Sequence, residues 1–175
     1  MPALIFIILG YTSTHMERVI TISKGTGAGD TKIAAFDAAL NEAGIANYNL
    51  IRLSSIIPPN SRIELGKYVT PPEEFGHKLY MVYASEIQNE AGKEAWAGIG
   101  WVLAQDGSGK GLFTEHEGHS EQEVLNLITQ TLTNMTSYRP EEYGPIQHEI
   151  TGITCSGSPV CALVTAVYQA EGWDR

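Results

Sequence analysis

A chain of 175 residues falls within the usual size of one domain, roughly 100–200 residues, and is long enough to bury a sizeable core. Hydrophobic residues make up 43% and charged ones only 18%, with 18 glycines and 8 prolines; this excludes a disordered chain, a collagen-like repeat and a coiled coil, and points to many turns. Eleven Lys and Arg against twenty Asp and Glu leave a formal charge of −9, which repels a phosphate backbone and an anionic membrane surface and so argues against nucleic-acid and membrane partners.

Met1 to Gly10 form an apolar run too short to span a bilayer, with no basic flank before it. The run reads as an added strand, or as an extension upstream of an alternative start at Met16. Arg18 to Ser23 alternates as a strand, and Gly25-Thr26-Gly27-Ala28-Gly29 is expected to break it. A helix follows, capped by Asp30, with Ile33, Phe36, Ala39, Leu40 and Ala43 at helical spacing and Gly44 as its stop. Asn49 to Ser54 reads as the next strand, ended by Pro58-Pro59, which interrupts a ladder. Lys78 to Ala84, Ala95 to Ala104 and Gly111 to His116 read as antiparallel strands joined by polar turns such as Gln105 to Gly109. Ser120-Glu121-Gln122-Glu123 is a capping box opening a second helix to about Tyr138, and strands at His148 to Cys155 and Val160 to Ala170 complete the chain. Two main helices among some seven strands imply an α+β domain, a layered αββα sandwich of largely antiparallel sheets with a helix on each outer face.

Four features carry possible chemistry. The glycine loop lacks the G-x-G-x-x-G spacing of a dinucleotide site because Asp30 holds the last position, so a plain strand-to-helix turn is the better reading. Asp37, four residues after Ile33 and three before Leu40, puts a carboxylate beside apolar residues of the first helix. It is either an edge acid touching water or the cation-binding group of an apolar pocket. Glu115-His116-Glu117 with His119 contains metal-ligand types, but on a strand Glu115 and Glu117 share one face and His116 the other. They converge poorly on an ion, and no metal is expected; a buried acid among them suits proton donation. Ser54-Ser55 ends a largely apolar strand before a rigid proline turn and has no G-x-S-x-G elbow around it, so a hydrolase nucleophile is not supported. The two cysteines, Cys155 and Cys161, match neither a zinc pattern nor a redox C-x-x-C, leaving a reducing, cytoplasmic compartment as the default.

Ile33 to Leu40, continuing without a break through Asn41-Glu42-Ala43-Gly44-Ile45-Ala46-Asn47-Tyr48-Asn49-Leu50-Ile51-Arg52-Leu53-Ser54-Ser55-Ile56-Ile57-Pro58-Pro59, and resuming at Gly111-Leu112-Phe113-Thr114-Glu115-His116-Glu117-Gly118, closely resembles the pyruvoyl-dependent arginine decarboxylases. The resemblance implies that the precursor cuts its own backbone between Ser54 and Ser55, giving residues 1–54 and 55–175 of what would be one decarboxylase domain, with Ser55 becoming a covalent pyruvoyl group. It implies a Schiff base between that group and the amine of L-arginine, which loses CO2 to give agmatine. Glu115 is then the proton donor and Asn49 a hydrogen-bonding group near the pyruvoyl carbonyl, on the same strand face as Ser55 if the strand runs unbroken. Asp37 takes the guanidinium, with Ile33 and Leu40 flanking the aliphatic stem; a carboxylate suits the planar fork of arginine and disfavours an aspartate substrate. Homotrimers with sites between subunits are a further implication. The competing readings are a pyruvoyl enzyme for another amino acid, and an uncleaved, non-catalytic ligand-binding trimer of the same fold.

Overall fold

The computed structural model describes residues 17–173, so the expectations for Met1 to Met16 lie outside the described residues. Two sheets pack face to face, with one helix on the outside of each. The first sheet has five strands: β1 (Arg18–Ala28), β2 (Asn49–Arg52), β4 (Ser61–Leu65), β5 (Lys78–Gln88) and β9 (Val160–Glu171), in the order β2-β5-β9-β1-β4. The second has four: β3 (Ile56–Ile57), β6 (Glu94–Leu103), β7 (Gly111–Gly118) and β8 (Gln147–Thr154), in the order β3-β7-β6-β8. Helix α1 (Lys32–Ala43) packs on the first sheet and α2 (Glu121–Ser137) on the second, giving the expected αββα sandwich. Pairing is antiparallel except for β1 with β4 and β2 with β5.

The main core lies between the sheets. Ile20, Ile22, Val82, Ala84, Val164 and Ala166 of the first sheet meet Ala97, Ile99, Trp101 and Phe113 of the second. Strand β9 is covered on both faces, with Leu163 and Val167 under α1 and Ala162, Val164 and Ala166 between the sheets. This is why Val160 to Ala166 reads as a nearly unbroken small and apolar run rather than an alternation.

Two local expectations are corrected. Gly25 and Gly27 do not break the first strand: they lie inside β1, under α1. A β-carbon at Gly25 would collide with the Ala39 carbonyl, and one at Gly27 with the Ala35 carbonyl and the Ala39 amide. The glycines let the helix backbone approach the sheet, and Ala35, Ala39 and Ala43, all fully buried, make the complementary small surface. The helix cap is Thr31 rather than Asp30: its hydroxyl accepts from the Ala34 amide at 3.1 Å. Gly44 does close α1, in the left-handed region at φ 87°, where a β-carbon is unfavourable. Ser120 caps α2 as expected, its hydroxyl accepting from the Glu123 amide at 3.2 Å, but the Glu123 carboxylate reaches one residue further back than in a capping box and accepts from the His119 amide at 2.8 Å.

The strand expected over Asn49 to Ser54 is shorter and more consequential. It pairs with β5 only as far as Arg52, opposite Met81, with one further bond from the Leu53 amide to the Met81 carbonyl at 2.9 Å. The chain then crosses to the other sheet, where Ile56 and Ile57 pair with Leu112 and Gly111 of β7. Ser54 and Ser55 occupy that crossover.

Candidate active site

The crossover is held from both sides. Upstream, Leu53 is tied to β5; downstream, the Ser55 carbonyl accepts from the Phe113 amide of β7 at 2.9 Å. Between them, the Ser54 carbonyl accepts from the Ile56 amide at 2.9 Å, a three-residue turn centred on Ser55. The bond joining the two serines therefore sits at the apex of a tight turn whose ends belong to different sheets.

The Ser55 side chain is directed to β7. Its hydroxyl donates to Glu115 Oε2 at 2.7 Å, while the other carboxylate oxygen, Oε1, is buried with no hydrogen-bond partner. Burial pushes the Glu115 carboxyl above its ordinary value; the Ser55 hydrogen bond and the positive charge of Arg52 oppose the rise. Arg52 lies over the Tyr83 ring at 5.0 Å. Strand alternation sends the neighbouring His116 the other way, where its Nε2 meets the hydroxyls of Thr114 at 3.0 Å and Thr131 of α2 at 2.9 Å. Burial lowers the His116 pKa, against a smaller opposing effect of Glu117. Glu115 and His116 thus face different layers, and among the described residues no three His, Cys, Asp or Glu side chains gather into a metal-binding group.

The remaining expected site residues stand apart within this chain. Asn49 begins β2, three residues of extended strand, about 10 Å, before Arg52, and its side chain donates to the Gly76 carbonyl at 2.6 Å. The same carbonyl accepts from Trp173 Nε1 at 2.8 Å. The expected alternation placing Asn49 and Ser55 on one strand face does not hold, because the strand ends at Arg52 and the chain changes sheets before Ser55. On α1, Leu40 is buried, but Ile33 is 81% exposed and Asp37 is exposed as well. The expected apolar stripe through Ile33 is corrected: Ala35, Ala39, Leu40 and Ala43 are buried, and Ile33 and Asp37, one turn apart, are exposed on the outer side of the helix.

The model of the pyruvoyl-dependent arginine decarboxylase family matches residues 19–171, which include all but the first residue of β1, α1, the serine crossover, Glu115 and the whole of β9. The chain belongs to that family. Curated relatives carrying the family's name include proteins from Thermoplasma volcanium, 35% identical over 61% of this chain and 58% of the relative, and from Methanococcoides burtonii, 36% identical over 58% of this chain and 57% of the relative. One from Thermococcus kodakarensis is 30% identical over 83% of this chain and 91% of the relative. The chain thus spans little more than half the length of the first two pyruvoyl-dependent arginine decarboxylases and nine tenths of the third.

Sequence reasoning missed three groups that shape this family member's crossover. The Phe113 amide and the Ile56 amide are backbone donors and have no sequence signature. Tyr168, whose hydroxyl donates to the Ile56 carbonyl at 3.0 Å from 112 residues along the chain, looks like any other residue of an apolar strand.

Proposed function

We propose that this protein is a self-processing, pyruvoyl-dependent decarboxylase that converts L-arginine to agmatine and CO2. The observation that carries the reading is the Ser55 hydroxyl on Glu115 at the apex of a turn that presents the Ser54 carbonyl. Ionised Glu115 accepts the Ser55 proton, the freed Oγ attacks the Ser54 carbonyl carbon, and the C–N bond to Ser55 breaks as its nitrogen takes that proton back, exchanging the amide for an ester and a free amine. The Ile56 amide, already on the Ser54 carbonyl oxygen, is a donor for the negative charge that develops there. Loss of the Ser55 α-proton and expulsion of the ester oxygen leave Ser54 as a carboxylate and residue 55 as dehydroalanine. Its imine tautomer takes up water and releases ammonia, giving a pyruvoyl group at the start of residues 55–175.

The residues fit that group: Glu115 Oε2 already lies on the Ser55 side chain at 2.7 Å, and its buried Oε1, without a partner, leaves the carboxyl hydrogen-bonding capacity to spare. The pyruvoyl carbonyl supplies an electrophile for the substrate amine and a sink for the electron pair left when CO2 departs. Glu115 then changes role. Processing consumes the Ser55 hydroxyl whose hydrogen bond had held the carboxyl down, so burial keeps Glu115 protonated more readily, as delivery of a proton to the substrate α-carbon requires.

Arginine is the substrate favoured by Asp37 with Ile33, a carboxylate and an apolar side chain one turn apart on the outward face of α1, suited to a guanidinium and its aliphatic stem. Leu40 supports that wall from the buried side, and Asn49 is assigned to the pyruvoyl carbonyl. Asn49 and the outward face of α1 act across a subunit boundary in a homotrimer of cleaved protomers, a neighbouring copy completing each site. Among the described residues no helix is long and apolar enough to cross a membrane. The buried, unpaired Cys155 and Cys161 suit a reducing cytoplasm.

Denaturing mass spectrometry with an arginine decarboxylation assay tests the reading. We expect two fragments, 1–54 ending in a carboxylate and 55–175 beginning with pyruvoyl, together with agmatine formation. A single intact chain after prolonged incubation, or cleaved protein inert toward arginine, overturns it.

A further inference from the structure

We propose that Tyr168 is a positioning residue for the Ser54–Ser55 bond, and for the cofactor-bearing chain end that its cleavage creates. The proposal rests on the self-cleavage described above and assigns a role to a residue remote from the serine pair in sequence. Strand β3 has only two residues and forms an edge of its sheet. In its antiparallel pairing with β7, Ile56 stands opposite Leu112 while the Ser55 carbonyl takes the Phe113 amide. Alternation along the ladder therefore turns the Ile56 carbonyl away from β7. That carbonyl would be an unpaired edge group in a largely apolar layer, and the Tyr168 hydroxyl donates to it at 3.0 Å.

The surroundings make this contact rigid. Tyr168 is only 7% exposed and stands on the inner face of β9, following Ala162, Val164 and Ala166 on that face. Its ring packs edge-on against Phe113, with centroids 6.1 Å apart, and Phe113 is the residue whose amide holds the Ser55 carbonyl. One aromatic pair thus fixes two successive carbonyls, those of Ser55 and Ile56, immediately downstream of the scissile bond. Before cleavage the two contacts keep the Ser55 hydroxyl in line with its target, where small misplacements are costly. After cleavage, residue 55 is a chain terminus, which frays unless tied down, and the same two bonds tie it.

Tyr168→Phe keeps the ring and removes only the donor. Its cleavage is followed by denaturing mass spectrometry from the moment of synthesis, beside wild type and Leu132→Ala, a cavity variant under α2 that lowers stability away from the crossover. Thermal midpoints are measured for all three. We expect Tyr168→Phe to cleave roughly tenfold more slowly, about 1.4 kcal/mol in barrier, at a stability equal to or above that of Leu132→Ala, which cleaves at the wild-type rate. For the fraction that matures, kcat per pyruvoyl group falls while KM for arginine is unchanged. Cleavage of Tyr168→Phe at the wild-type rate, or equal slowing in Leu132→Ala, overturns the positioning role and leaves the decarboxylase reading intact. Failure of the wild-type chain to cleave overturns both.

Discussion

The Ser55 hydroxyl and the Glu115 carboxylate, 60 residues apart in the chain, meet at 2.7 Å where the chain joins the edge of the second sheet beside β7. Each is positioned by a different ladder: Ser55 by the crossing of the chain from β5 to β7, Glu115 by its pairing opposite Ile99 on β6. In the proposed mechanism one carboxylate therefore serves the serine before cleavage and the substrate after it.

Replacing either partner separates the two roles. Ser55→Ala is expected to remain a single chain with no decarboxylation. Glu115→Gln, which keeps the hydrogen-bonding shape but not the base, is expected to cleave slowly. Its matured fraction should decarboxylate about 10²–10⁴-fold more slowly, the usual range for a lost acid–base group. Mass spectrometry and turnover per pyruvoyl group measure these separately, and near-normal turnover in Glu115→Gln reassigns the proton donor.

The two reactions should also respond to pH in opposite directions. Cleavage needs Glu115 ionised, and burial raises its pKa, so the cleavage rate falls as the solution is acidified through that pKa. Proton delivery during turnover needs Glu115 protonated, so kcat of the matured enzyme falls as pH rises through it. Parallel pH profiles for the two rates count against one carboxyl serving both.

Asp37 tests the arginine assignment with little risk to the fold, because it is exposed. Asp37→Asn should leave the thermal midpoint unchanged and raise KM for arginine about 10–100-fold, the value of a lost charge-assisted hydrogen bond of about 1.5–3 kcal/mol. Steady-state kinetics at fixed pyruvoyl content make the comparison, and an unaltered KM removes Asp37 from the substrate site.

Stability should fall on acidification through His116. Its pKa is lowered in the folded state from 6.5 by burial. The stability it contributes is therefore complete above the unfolded value near 6.5 and is lost as pH falls through the lower folded value. Urea denaturation of wild type and His116→Gln from pH 7.5 to pH 4.5 should give a steeper loss for wild type. Identical slopes mean that His116 charges without penalty.

Gly27→Ala should cost about 1–3 kcal/mol by overpacking, because the added carbon meets the backbone of α1 rather than a flexible side chain. Urea midpoints read this directly. A neutral result requires that α1 can lift from the sheet freely.

Much of this protein is determined by short-range pattern. The cap at Ser120, the stop at Gly44, and the opposite facing of Glu115 and His116 all follow from periodicities and hydrogen bonds that span a few residues. The αββα layering follows from two amphipathic helices among strands that each need a covered face, and the serine pair with its prolines is visible as a motif. Other features depend on which elements meet. Gly25 and Gly27 read as a break because a glycine's local freedom is evident in sequence, whereas the helix backbone lying on it is not. Ile33 and Asp37 read as part of an apolar stripe, yet the sheet covers the Ala35–Ala39–Ala43 side of α1 and leaves them outside. The change of sheet at Ser54–Ser55 was hidden inside what looked like one strand, and the hold of Tyr168 on Ile56 spans 112 residues. Local sequence supplies the serine and carboxylate side chains; only the packing of distant strands decides which backbone bond is held beside them, because the hydrogen bonds that hold it come from two separate sheets.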